Sequence, residues 1–342
     1  MRIILHMGQG KTGTTALQHM LAAARGALAE RGVLYPEMAP GAVAHHLLIA
    51  LCEGPDRLPP HVALPFGGAE ATRRAALEGL ARIGAEAART KPDLIVLSSE
   101  TLVFGTTAEG KVRLARLLAS LTGDIRPVLY LREPAGLYLA RLQERAKVAA
   151  TPLPPGPQPI RAALEDTEAA FGRPPELGAY DPAALAGGDI VTDFAARFLP
   201  GRIDPALLPP RRLNQGLSAE ATLLMARFRA LVAPGRDWQA DPRGTRLISL
   251  ISRIEAAQGG GQRARLVPGL AAAIRRASVD YLWLRDRFGL SFPEIDYRAI
   301  DGAALPESLG HAPIKALIKI DDARYGALLL RLVAALLEEP AP

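Results

Sequence analysis

The sequence predicts an α/β protein with a three-layer fold, in which helices cover both faces of a central parallel β-sheet. Two observations lead to this prediction. Short unbroken apolar runs, typical of strands buried on both faces, alternate with amphipathic helical patterns through the first half of the 342 residues. The patterns near the C-terminal end are helical, so we also expect a C-terminal helical elaboration of the sheet domain.

The first predicted strand starts at Arg2 and leads into a turn that contains three glycines. The helix after this turn carries Leu17, Met20, Leu21 and Leu28 on one face, as expected for a helix packed on a sheet. The other predicted elements, in chain order, are strands at 32–36, 93–100, 126–132 and 175–180, and helices at 45–51, 69–89, 111–121, 135–148, 218–232, 266–288 and 325–337. A short helix is also expected after 187–194.

We predict one α/β domain over residues 1–300 and a C-terminal helical extension over 301–342. Five prolines and one glycine lie within 151–159. Proline removes a backbone donor and breaks regular structure, so we predict that 151–173 is a proline-rich loop inserted in the domain and not a domain boundary.

The composition favours an anionic ligand and argues against several other classes of partner. There are 41 Lys and Arg against 35 Asp and Glu, a net charge of +6 that suits an anionic ligand. Aromatic residues make up 5% and do not alternate with basic clusters, so nucleic-acid binding is not expected. The single Cys52 excludes disulfides within the chain. The first strand follows Met1 directly and no apolar stretch approaches the ~20 residues of a membrane span, so we expect a cytoplasmic protein without a membrane partner.

The turn after the first strand has the chemistry of a phosphate-binding loop. A glycine turn that opens a helix presents unbonded main-chain N–H groups, and the helix N-terminus carries partial positive charge. A lysine adds a full cation and threonines add hydroxyl donors. The residues predicted to bind the phosphate are Gly8, Gly10, Lys11, Thr12, Gly13, Thr14 and Thr15.

The spacing of this P-loop-like turn separates two families. The loop of nucleotide triphosphatases reads G-x-x-x-x-G-K-[ST], but Leu5 stands where its first glycine is required. The run from Gly8 to Gln18 instead reads Gly-x-x-Lys-Thr-Gly-Thr-Thr-x-Leu-Gln. It resembles the 5′-phosphosulfate loop of bacterial sulfotransferases that use 3′-phosphoadenosine 5′-phosphosulfate (PAPS).

This resemblance implies PAPS as co-substrate, adenosine 3′,5′-bisphosphate as product and no metal ion. It also implies that Lys11 neutralises the leaving phosphate and that Arg132, at the end of a strand, binds the 3′-phosphate. Two positions depart from the family pattern. Ala140 stands where the family has a serine at the 3′-phosphate, and Gly216 replaces a serine in the segment 212–218.

The acceptor hydroxyl needs a general base within hydrogen-bonding reach. His45 and His46 are candidates because histidine titrates near neutral pH and both follow the second strand. Glu37 is a rival, since other sulfotransferases carry a catalytic glutamate just after that strand, and Glu100 is a third candidate. The other histidines, His6, His19, His61 and His311, have no metal-ligand spacing.

These observations predict a sulfotransferase that acts on a hydroxyl or amine of a carbohydrate or small metabolite. Two alternatives stay open: a nucleotide-dependent kinase or hydrolase on the same fold class, and a nucleotide-binding protein without turnover. The short loop opposes the first of these, as does the lack of an aspartate after the third strand to hold Mg²⁺. Ala140 and Gly216 keep the second open. No pattern in the sequence predicts an oligomeric state.

Overall fold

The computed structural model describes residues 1–203, 216–232, 234, 241–258 and 261–338. Within these residues, five strands form one parallel sheet in the order β2-β3-β1-β4-β5. The strands are β1 (Arg2–His6), β2 (Val33–Leu34), β3 (Leu94–Ser98), β4 (Ile125–Leu131) and β5 (Glu176–Ala179). This confirms the predicted α/β class with a central parallel sheet, and the many helices fit a three-layer arrangement.

The α-helices of the described residues are α1 (Thr14–Ala23), α2 (Arg25–Ala29), α3 (Ile49–Cys52), α4 (Pro60–Ala63), α5 (Ala69–Thr90), α6 (Leu102–Gly105), α7 (Ala108–Ala119), α8 (Pro134–Val148), α9 (Ile160–Phe171), α10 (Ile190–Phe198), α11 (Ala219–Val232), α12 (Pro242–Ala257), α13 (Leu270–Ala277), α14 (Asp280–Phe288), α15 (Ile314–Leu317) and α16 (Asp322–Glu338). No helix among them is both long enough and apolar enough to cross a membrane.

The register of the sheet brings three strand ends together. β1 lies between β3 and β4, with His6 opposite Ser98 on one side and Val128 on the other. Ile3 and Leu5 of β1 are fully buried, as a central strand covered on both faces requires. Because all strands are parallel, the segments that follow β1, β3 and β4 leave the sheet at the same edge.

By packing, the chain divides into two units. The first comprises Met1–Glu133, Pro159–Leu213 and Asp280–Ile295, and contains the whole sheet. Its core joins Leu17, Met20, Leu21 and Leu28 of α1 and α2 to Val96 of β3, so the predicted buried face of the first helix is confirmed.

The second unit comprises Pro134–Gln158, Asn214–Val279 and Asp296–Pro342. Its boundaries differ from the predicted division into 1–300 and 301–342, because the C-terminal helix shares one core with helices from earlier in the chain. That core includes Leu142 of α8, Met225 of α11 and Leu332 of α16.

Two predicted elements differ from the structure. The segment 151–173 was predicted as a loop, but α9 forms at 160–171 because Ile160, Ala163, Leu164 and Thr167 give it a buried face at helical spacing. The single helix predicted over 266–288 is interrupted at Ser278, whose backbone leaves the helical region with φ −90° and ψ 65°.

Candidate functional site

The glycine loop, residues 7–13, joins β1 to α1. Lys11 and Gly13 both adopt left-handed backbone conformations, with φ of 72° and 74°. At Gly13 a Cβ atom would lie 2.8 Å from Cγ2 of Ile190 and 3.0 Å from the ring of Tyr180, so the position requires glycine. At Lys11 this conformation is uncommon for a residue with a side chain, and such strain persists where the surrounding structure holds it.

The threonines of the loop and of the first helical turn have different roles. Thr12 is fully buried, and its hydroxyl donates a 2.6 Å hydrogen bond to the main-chain oxygen of Gln9. In this structure the Thr12 hydroxyl therefore stabilises the loop, and phosphate binding by the main-chain N–H of Thr12 stays a prediction. Thr14 is 2% exposed, and its Oγ1 has no hydrogen-bond partner among the described residues. Thr15 is exposed at the second position of α1.

The start of α1 offers further donors to an anion. Gly13 precedes the helix and no side chain caps it. The N–H groups of the first turn have no intrahelical acceptor, and the helix dipole adds partial positive charge there. Gly8 faces the same turn: a Cβ atom on it would lie 2.7 Å from Oγ1 of Thr14. Glycine at this position lets the loop approach the helix start closely.

Arg132, the first residue after β4, is fixed against the glycine loop on several sides. Its main-chain N–H donates to Oε1 of Gln9 at 2.9 Å, and its carbonyl accepts from the hydroxyl of Tyr281 at 2.5 Å. Its guanidinium donates to the carbonyl of Lys11 at 3.2 Å and lies 5.8 Å from the ring centroid of Tyr180. The structure thus places the Arg132 guanidinium against the main chain of Lys11, because the two residues follow the adjacent strands β4 and β1.

A buried polar layer lies where β1 and β3 end. Nδ1 of His6 and Oγ of Ser98 are 2.8 Å apart, and the side-chain amide of Gln18 donates to the carbonyl and hydroxyl of Ser98 at 3.3 and 3.2 Å. Burial lowers the pKa of His6 to about 4. Gln18, the last residue of the loop motif, therefore ties α1 to β3 and has a structural role.

His45 belongs to the fold and not to the candidate chemistry. It is 1% exposed, its Nδ1 accepts from the main-chain N–H of Ser98 at 3.0 Å, and its Nε2 lies 3.0 Å from the carbonyl of Pro36. Because Nδ1 is the acceptor, Nε2 carries the proton and donates it. Burial lowers the pKa of His45 to about 4. Both ring nitrogens are used, which corrects the prediction of His45 as a general base.

Glu37 is also occupied by structural contacts. Its Oε1 pairs with Nη1 of Arg25 at 2.8 Å, and its Oε2 accepts from the main-chain N–H of Gly41 at 3.0 Å. With both oxygens bonded, the carboxylate closes the turn at 37–41. This corrects the prediction of Glu37 as a general base.

His46 is the predicted histidine base whose Nε2 has no hydrogen-bond partner among the residues that the structure describes. Its Nδ1 lies 3.1 Å from Oγ of Ser99, which lies 2.8 Å from Oγ1 of Thr101. Burial lowers the pKa of His46 to about 4, with a smaller contribution from His61, so the ring is neutral at pH 7. The two histidine rings meet edge to face with their centroids 6.3 Å apart.

Glu100 and His61 complete this side of the site. Oε2 of Glu100 lies 3.9 Å from the point where a Cβ atom on Gly10 would stand, so the carboxylate borders the glycine loop. Burial lowers the pKa of His61, and the nearby charge of Glu100 partly opposes that shift. Sequence reasoning gave no role to His61, which lies on α4, where no helix was predicted. It also missed Gln9, which occupies a variable position of the motif and carries no signal.

The two departures from the family pattern lie in the second unit. Ala140 is on α8. A Cβ atom on Gly216 would lie 3.0 Å from Oε1 of Gln143, so a larger residue there requires Gln143 to move. Ser218 caps α11, because its Oγ accepts from the N–H of Ala221 at 3.0 Å. The predicted segment 212–218 lies outside the described residues up to position 215.

In the described part of the chain, no group of three or more His, Cys, Asp or Glu side chains could hold a metal ion. No protein-family model matches the chain, and neither a curated protein nor a solved structure matches it significantly.

Proposed function

We propose that this protein is a P-loop-like sulfotransferase that transfers the sulfuryl group of PAPS to a hydroxyl or amine of a carbohydrate or small-metabolite acceptor. The observation that supports the proposal is the hydrogen bond from the Arg132 guanidinium to the main-chain carbonyl of Lys11, because it joins a second cationic residue to the glycine loop. A donor with phosphates at both its 5′ and 3′ positions needs two such groups close together.

The loop fits a phosphate by its unsatisfied donors. A buried hydroxyl without a partner costs about 1–3 kcal/mol, so the unpartnered Oγ1 of Thr14 indicates a ligand atom as its partner. The uncapped N–H groups of α1 and the ammonium group of Lys11 would bind the same phosphate. Arg132, beside the ring of Tyr180, would bind the second phosphate through its remaining N–H groups.

When bound, the donor supplies a sulfuryl group, whose sulfur bonds to the acceptor oxygen as its bond to the 5′-phosphate oxygen breaks and leaves the electron pair on that oxygen. Lys11 would stabilise the charge that develops on the phosphate. The hydroxyl proton passes to Nε2 of His46. For Nε2 to accept it, Nδ1 must donate to Ser99, and Ser99 can then donate to Thr101, which the distances allow.

Calorimetry with adenosine 3′,5′-bisphosphate tests the proposal. We expect binding in the micromolar range, on the order of −8 kcal/mol, and at least about tenfold weaker binding in Arg132→Ala and Lys11→Ala. Arg126→Ala is the matched control. It removes an arginine near the start of the same strand, where it pairs with Asp124 and Glu176.

Two results would oppose the proposal. Binding of ATP with magnesium, but not of the bisphosphate, would favour a nucleotide-dependent kinase or hydrolase. Binding of the bisphosphate without transfer from PAPS to any acceptor would favour a nucleotide-binding protein without turnover.

A further inference from the structure

One carboxylate in the site has a position that the binding of an anionic donor does not explain. Glu100 lies two residues beyond the end of β3, and its Oε2 borders Gly10 of the glycine loop. The residue is partly buried, and among the described residues its carboxylate makes no hydrogen bond or ion pair. Carboxylates withdrawn from water normally have a partner, because their charge otherwise loses solvation without compensation.

Neither the proposed donor nor the neighbouring histidines supply a positive charge to Glu100. A carboxylate beside an anion-binding loop repels the phosphate that the loop binds, so Glu100 does not favour binding of the donor. The charge of Glu100 acts on the neighbouring ring of His61, whose pKa it raises against the effect of burial. Burial lowers the pKa of both His61 and His46 and so disfavours the charged form of each ring, which leaves Glu100 without a permanent positive charge from either one.

A cationic group on the acceptor would give the Glu100 carboxylate a positively charged partner. The ring of His46, the candidate base, lies 6.3 Å from that of His61, and His61 in turn interacts with the charge of Glu100, so one small molecule can reach both groups. We propose that Glu100, with His61 beside it, binds an ammonium group of the acceptor while the acceptor hydroxyl faces His46. The acceptor class is then an amino alcohol or amino sugar with the amine close to the reacting hydroxyl. This inference rests on the proposed sulfotransferase function.

The test is transfer from PAPS to a panel of amino sugars and 1,2-amino alcohols, each paired with an analogue in which a hydroxyl replaces the amine. We expect at least one amine-bearing acceptor to have kcat/KM about tenfold above its partner, as for a hydrogen bond to a charged group. In Glu100→Gln we expect its KM to rise about tenfold and the preference to fall to near one. Glu109→Gln removes the same charge from the exposed first turn of α7 and serves as control.

Three outcomes would overturn the inference: no amine-bearing acceptor is used, the amine gives no preference, or the preference survives in Glu100→Gln. A loss of kcat on both members of each pair in Glu100→Gln would also overturn it, because it would assign proton transfer to Glu100. Calorimetry with adenosine 3′,5′-bisphosphate separates the two levels. If the native protein does not bind it, the proposed function fails. If both the native protein and Glu100→Gln bind it but no amine preference exists, only this inference fails.

Discussion

Replacing Gln9 with alanine tests how the glycine loop is joined to Arg132. The Oε1 atom of Gln9 accepts the main-chain N–H of Arg132 at 2.9 Å, and the Gln9 side chain is almost completely buried. The substitution leaves that N–H without its acceptor, so we expect the free energy of unfolding to fall by about 1–3 kcal/mol. The bonds of Arg132 to Lys11 and Tyr281 persist, so bisphosphate binding should weaken by only about tenfold, or about 1.4 kcal/mol.

Gln9→Glu separates the effect of residue 9 on bisphosphate binding from its effect on the stability of the fold. Its carboxylate can still accept the N–H of Arg132, so we expect most of the stability to return, as measured by urea unfolding. It also places a negative charge beside the phosphate site, so bisphosphate binding should stay weak in calorimetry. The reasoning is refuted if Gln9→Ala has native stability and native affinity, or if Gln9→Glu binds the bisphosphate as tightly as the native protein.

Two further predictions concern stability. Gly13→Ala should lower the free energy of unfolding by about 2–4 kcal/mol, because alanine there would contact Ile190 and would also have to adopt a left-handed conformation. Gly172 is also left-handed but has open space around it, so Gly172→Ala should lower the free energy of unfolding by only about 1–2 kcal/mol. Equal losses for the two variants in urea unfolding would contradict this prediction. His45 has its pKa lowered to about 4 from an ordinary 6.5, so the unfolded chain binds more protons between these values and stability should fall as the pH drops through that window. His6 and His46 contribute to the same dependence, so His45→Gln should make it less steep without abolishing it, and the exposed His311→Gln should leave it unchanged. Identical pH profiles for the native protein and His45→Gln would count against this prediction.

The sequence pattern predicted the strands whose C-terminal ends carry the candidate site residues. Apolar runs with polar ends marked the strands that precede Lys11, Glu100 and Arg132, and the observed order places β1 between β3 and β4. The convergence of these three segments follows from parallel strands leaving the sheet at one edge. Propensity and periodicity carry that information, because burial on both faces constrains every residue of a central strand.

The roles of single residues could not be predicted in the same way. His45 and His46 are adjacent and chemically identical, yet one is buried between Pro36 and Ser98 and the other contacts Ser99. Which of them can act as a base depends on contacts 53 residues away in sequence. Thr12 likewise carries the hydroxyl that the motif requires but uses its proton inside the loop. No local pattern encodes such tertiary partners.

The positive potential at the glycine loop comes from groups other than the histidines. Because burial keeps His46 neutral at pH 7, positive potential near the loop must come from Lys11, Arg132 and the main-chain N–H groups of α1. In the proposed reaction, donor binding and proton acceptance then involve separate groups. A neutral imidazole that is bonded to Ser99 can then accept a proton without first losing one. The low pKa that makes His46 a weak base in the free protein is thus compatible with a role beside a bound dianion, whose charge would raise that pKa.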